Sequence, residues 1–291
     1  MSEIPNKNVN NIFKYKQMKL VRIFKITVFS VCLLMLPSAA VAQDAASDSV
    51  VATVQQSGEV AGVSKSLADE AYAAGNYGQA ITIYEQLIEE QGEAASVYYN
   101  LGNCYYKSGQ LAKAILNYER AWLMNPGDGD IRFNLELARS KTVDKITPMS
   151  EMFFITWARD VANLFSSNAW AKCAIVCFLL FIVALSAYIF GRKLAVRKAS
   201  FFLGLFFLVV CLVANASASY QKGQRLSQSN AIVVLPTVSV KSTPDKSGTD
   251  LFVLHEGCKV EIKDGSMSGW KEIRLSDGNV GWLPASAIEV I

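Results

Sequence analysis

Histidine is almost missing from this chain: His255 is the only one in 291 residues, which excludes any catalytic or metal site needing two imidazoles. Charge is scarce as well, 18% of residues against a hydrophobic share of 52%, so neither extended disorder nor a polyanion-binding surface fits, and no nucleic-acid partner is expected. No Cys-x-x-Cys pair and no Gly-x-x-x-x-Gly-Lys-Ser/Thr loop occurs, which removes thiol exchange and P-loop nucleotide chemistry. Gly265-Ser266-Met267-Ser268-Gly269 puts methionine where a nucleophile elbow has serine. Cys32, Cys173, Cys177 and Cys211 lie in hydrophobic stretches, leaving Cys104 and Cys258 in aqueous segments. Cys104 reads as a small buried helix residue, and His255 with Cys258 offers two ligands where structural zinc needs four. Asp128-Gly129-Asp130 starts like a calcium loop, but Arg132 and Arg139 then fall at its fifth and twelfth positions, so it reads as a turn and helix cap. The chain is therefore expected to be no enzyme and to hold no cofactor and no metal.

What charge there is alternates along the chain. Basic residues outnumber acidic ones by 6 to 1 over 1–42 and 8 to 2 over 146–230, and acidic exceed basic by 14 to 8 over 43–145 and 8 to 6 over 231–291. Such alternation is the mark of membrane topology. Lys19, Arg22 and Lys25 precede an uncharged run from Ile26 to Leu36 that breaks at Pro37 before Ala40-Val41-Ala42, the arrangement of an export signal over 1–42 with cleavage before Gln43. Met18 is the expected translation start, and an uncleaved N-terminal anchor is the alternative. A tether rich in Ala, Ser, Val and Gly follows over 43–63.

Two later runs are long enough to cross a bilayer. Cys173 to Phe190 and Ala199 to Tyr220 are uncharged over 18 and 22 residues, placing transmembrane helices over 169–190 and 199–220. The loop between them, 191–198, carries Arg192, Lys193, Arg197 and Lys198, which places it in the cytoplasm and both flanking domains outside the inner membrane, on the periplasmic side. A buried core hairpin is the competing explanation, made poor by the lack of any polar face. Upstream, over 146–168, Phe153, Trp157, Val161 and Leu164 form an apolar stripe at helical spacing. It suits either an amphipathic helix lying on the membrane surface or one packed on the preceding helices.

Residues 64–145 repeat with a period of 34: Tyr72 and Tyr106, Gly75 and Gly109, Ala80 and Ala114, Tyr84 and Tyr118, and Asn100-Leu101 and Asn134-Leu135. That period, with Tyr98, Leu101, Gly102, Tyr105, Ala114, Tyr118, Ala121 and Pro126, is the tetratricopeptide signature of stacked helix pairs. A last helix over Asp130–Lys141 caps the array. Periodicity puts Lys65, Asp69, Tyr72, Tyr99, Asn103, Tyr106 and Lys107 on the concave side, where aromatic rings beside donors suit an extended peptide or protein tail. The plainer alternative is that these tyrosines only cover neighbouring helices.

After a linker over 221–230, the last 61 residues read as five or six short strands of a small all-β barrel. Gly269-Trp270, followed by Asp277-Gly278-Asn279-Val280-Gly281-Trp282-Leu283, resembles the bacterial SH3-like domain over 231–291. The resemblance implies binding of cell-wall peptide or protein, with Trp270 and Trp282 as an aromatic groove, though at least one of the two suits a core position. The fold class expected is thus a multidomain membrane protein: an all-α tetratricopeptide repeat domain, two transmembrane helices and a C-terminal all-β SH3-like barrel. This combination, with Phe133-Asn134-Leu135-Glu136-Leu137-Ala138-Arg139 ahead of the membrane segment, resembles the BatE-type aerotolerance proteins of the Bacteroides group. The resemblance implies von Willebrand-type membrane proteins and a MoxR-type ATPase as partners and no established biochemical activity. A membrane-anchored scaffold for protein partners is the function expected. The alternative is an envelope sensor whose barrel binds peptidoglycan peptide and signals through the basic loop.

Overall fold

The computed structural model describes residues 64–267 and 269–291, so the expected signal and tether lie outside the described residues. Five helices come first: α1 (Lys65–Ala73), α2 (Tyr77–Gln91), α3 (Ala95–Lys107), α4 (Leu111–Met124) and α5 (Gly129–Ser140). Ser64 caps α1 by accepting from the Leu67 amide, and Asp128 caps α5 through the amides of Asp130 and Ile131, the role expected of that aspartate. Alanines at the helix crossings let the pairs close up: Ala68, Ala80, Ala114 and Ala121 are completely buried beside Tyr84 and Tyr118. At Gly102 the approach is tightest, since a Cβ there would lie 2.7 Å from two ring carbons of Tyr118.

Helix α6 (Phe153–Ala162) is shorter than the 146–168 helix expected, because Ser166 accepts the Ala169 amide and caps a new helix, α7 (Ser167–Phe190). Helix α8 (Leu194–Ser227) packs antiparallel along α7 around Trp170, Ala174, Cys177, Cys211 and Ala214. Both helices are long and apolar enough to cross a membrane. Only 191–193 remain outside helix between them, and α8 runs on through most of the stretch expected as linker. At 1.5 Å per residue its 34 residues reach about 51 Å, well past a hydrocarbon core of ~30 Å. Lys222, Gln224 and Arg225 are good helix formers, so lost apolarity did not mean a lost helix.

The remainder is a seven-stranded antiparallel sheet of β1 (Asn230–Val233), β2 (Thr237–Lys241), β3 (Asp250–His255), β4 (Lys259–Asp264), β5 (Trp270–Arg274), β6 (Val280–Pro284) and β7 (Ile288–Val290), in the order β3-β2-β6-β5-β4-β1-β7. Among the described residues β3 and β7 stand at the ends with no ladder between them, so the sheet is not closed, in contrast to the barrel expected. The seventh strand was not anticipated; it follows a single 3₁₀ turn at Ala285–Ala287.

The sheet docks on the repeats. Ile232 is buried in the core of the helical array and Ile291 packs on it. Arg120 of α4 donates to the Val290 carbonyl at 2.7 Å and pairs with Glu289 at 3.1 Å, which occupies the β7 edge. Asp144 accepts from the His255 backbone amide at 2.7 Å and meets its Nδ1 at 2.8 Å. A Cβ on Gly257, at φ +83°, would press within 3 Å of Thr142 and Ile115, so backbone contact fixes this junction.

Candidate functional site

The first helix of each repeat supplies the concave side, and its polar groups form a ladder that repeats with the sequence. The Tyr84 hydroxyl donates to Asp69, and one period later the Tyr118 hydroxyl donates to Asn103 at 2.7 Å. Asn100 donates to Asp69 at 3.1 Å, and Asn134 donates to Asn103 at 3.3 Å. Each acceptor is therefore held by the second helix of its own repeat and by the first helix of the next. Lys65 completes the set at Asp69, 2.7 Å away. Burial works to raise the Asp69 pKa, but the bonds from Lys65, Tyr84 and Asn100 outweigh it and hold the carboxyl below its ordinary value. Burial and the facing carboxylate push the Tyr84 hydroxyl strongly up, so it stays a donor.

Of the residues expected to bind a partner, Asp69 and Asn103 are thus engaged in joining repeats. Tyr99 accepts from Asn134 at 2.8 Å and its ring lies 6.0 Å from that of Tyr118. Tyr72 sits 5.5 Å from Tyr77, ring to ring, and Lys141 lies 4.6 Å over the ring of Tyr106. All three tyrosines are half-buried against the repeat core, and Lys65 and Lys107 are exposed. Two apolar residues of α5 are exposed, Phe133 at 65% and Leu137 at 39%. They occupy the places of Tyr99 and Asn103, 34 residues earlier, so the repeat period carries them onto the same side, although the sequence expectation for that side stops at Lys107.

Trp270 and Trp282 share the outer face of the sheet. Trp270 pairs in register with Pro284, and Glu272 with Trp282, so the two indoles are diagonal neighbours on one side. Both are half-exposed and neither joins the sheet core of Val233, Val240, Leu254, Val260, Ile273 and Leu283, so the core position expected for at least one of them is not found. Cys258 and Cys104 are buried, which pushes their thiols up to about 12 and about 11 and keeps both unreactive as nucleophiles. Arg192, Lys193, Arg197 and Lys198 are exposed at the far end of the hairpin, with Arg197 5.3 Å over the Tyr188 ring.

Two features were invisible in the sequence. Glu119 of α4 is completely buried, accepting from Arg139 of α5 and from Lys259 of β4 at 2.9 Å. A cleft of about 760 Å³ opens beside it, lined by Arg139, Lys145, Glu151, Arg159, Lys259, Glu261 and Arg274, among others. Arg139 and Lys259 share the one carboxylate of Glu119, while Arg159 pairs with Glu151 and Arg274 with Glu261.

Comparison with known families agrees with the ladder. Residues 66–130 match the tetratricopeptide repeat family. The match spans the four helices of two repeats and ends as α5 begins. Repeats of this family generally serve protein–protein interaction. No curated protein matches the chain.

Proposed function

We propose that this chain is a non-catalytic scaffold of the inner membrane, whose repeats hold a protein partner on the periplasmic side. The observation that carries it is the tetratricopeptide match together with exposed apolar side chains, Phe133 and Leu137, at the α5 places equivalent to Tyr99 and Asn103. An extended segment with apolar side chains suits those places, and Lys107 and Lys65 suit acidic neighbours along it. The basic residues at 192–198 favour the cytoplasm for the hairpin loop, which leaves repeats and sheet outside. The sheet reads as a bacterial SH3-like domain by its paired Gly-Trp motifs. The resemblance to BatE-type proteins names von Willebrand-type membrane proteins and a MoxR-type ATPase as the partners to look for.

A second reading has its own observation. Trp270 and Trp282 lie half-exposed on one sheet face, an arrangement suited to a wall peptide and to an envelope sensor. Cross-linked pull-down from native envelopes separates the two. Replacing both Phe133 and Leu137 by alanine should reduce recovered protein partner at least tenfold, since two such anchors contribute about 1–2 kcal/mol each. Folding should be little affected, both side chains being solvent-facing. If that variant keeps its partners while Trp282→Ala loses retention on isolated cell wall, the sensor replaces the scaffold.

A further inference from the structure

Helix α6 and the turn after it carry a run of apolar side chains that stay largely exposed among the described residues. At 100° per residue, Phe153, Phe154, Trp157 and Val161 fall within one arc of about 100°, and Leu164 and Phe165 follow in the turn after the helix. Phe153 is 83% exposed and Trp157 67%, and Phe154, Leu164 and Phe165 are each more than half exposed. The opposite side carries Thr156, Arg159 and Asn163. Arg159 reaches Glu151 at 2.6 Å, and Arg159 and Asn163 both line the clefts between α6 and the soluble body.

The position of α6 is fixed at the point where the two long apolar helices begin. The Ala162 carbonyl accepts from Trp170 Nε1 at 2.8 Å and from Gln221 Nε2 at 2.5 Å, and Gln221 also donates to the Phe165 carbonyl at 2.8 Å. Trp170 precedes the uncharged run of α7, which starts at Cys173, and Gln221 directly follows the uncharged run of α8, which ends at Tyr220. The residues that grip the end of α6 are thus those at the polar boundary of both apolar helices, which sets α6 beside that boundary.

We propose that α6 lies in the headgroup layer of the bilayer with its aromatic arc in the acyl boundary, a lipid contact that fixes the height and tilt of the repeats above the membrane. It rests on the proposal that α7 and α8 span the bilayer. The occupant is lipid and not a second copy, because α6 adjoins helices that lipid must cover in any case.

The test uses the full chain, one copy per nanodisc, in phosphatidylcholine and phosphatidylglycerol brominated near the glycerol end of the acyl chains. Tryptophan emission should be lower than in unbrominated discs. That loss should shrink at least twofold in Trp157→Phe and stay unchanged in Trp282→Phe. Equal loss in the two variants overturns the proposal, as does shielding of Trp157 only when two copies share a disc. Release of the chain from discs by an alkaline wash would overturn the spanning hairpin and this proposal with it. A retained chain whose Trp157 is unquenched overturns the placement of α6 alone.

Discussion

Glu119 is the residue on which the joining of repeats and sheet depends most. Its burial alone would raise its pKa, but the charges of Lys259 and Arg139 outweigh that and hold it below the ordinary value of 4.5. A carboxyl depressed in the folded state contributes stability above its unfolded pKa and loses that contribution as pH falls through the folded pKa. The docked sheet should therefore weaken below about pH 4.5, and Glu119→Gln should flatten that part of the profile. The triad is also asymmetric. Arg139 and Lys259 are partly exposed and can turn to water, whereas Glu119 cannot. The double substitution of Arg139 and Lys259 by methionine, which strands a buried carboxylate, should cost about 3–5 kcal/mol. Glu119→Gln should cost less, about 1–2 kcal/mol. Denaturant titrations followed by Trp122 emission at neutral pH check the order; equal costs would mean that Glu119 finds water.

At the scale of elements, the bonds that repeat every 34 residues are what make two repeats and a cap one array. Asn134→Ala removes the bonds to Tyr99 and Asn103 and should speed hydrogen exchange in α5 by about tenfold or more, leaving α1 protected. Gly102→Ala acts differently, because the new methyl must displace the Tyr118 ring, costing about 1–3 kcal/mol across both helices of that repeat. The helices were legible because Tyr84 and Tyr118, or Asn100 and Asn134, recur at one spacing. Strands β1 to β5 are legible from short apolar runs and from turns such as Ser276-Asp277-Gly278. The bounds of α8 and α6 were not, since Lys222 and Arg225 end a hydrophobic run without ending a helix, and Ser166 starts one inside a stripe. Glu119 has no signal in the sequence, because its partner Lys259 lies 140 residues away and only the docked sheet brings it there. Asp69 and Asn103 sat on the expected side for a reason other than the one expected: they join repeats.

For the whole molecule, the docking sets a condition on any membrane topology. The repeats precede α7 and the sheet follows α8, yet Arg120 touches Glu289, Glu119 touches Lys259 and Asp144 touches His255. Parts in such contact must lie on one side of a bilayer, as two spans allow and one span forbids. Only Gln228 and Ser229 separate the end of α8 from β1, so the sheet follows that helix directly. If the hairpin holds repeats and sheet together outside the cytoplasm, as proposed above, single reporter cysteines at Glu89 in α2, Ser247 between β2 and β3 and Ala195 at the start of α8 will show it when labelled with an impermeant thiol reagent in intact spheroplasts. Glu89 and Ser247 should label directly, and Ala195 only after permeabilisation. Labelling of Ala195 in intact cells with protection of the other two, or of only one of Glu89 and Ser247, would contradict it.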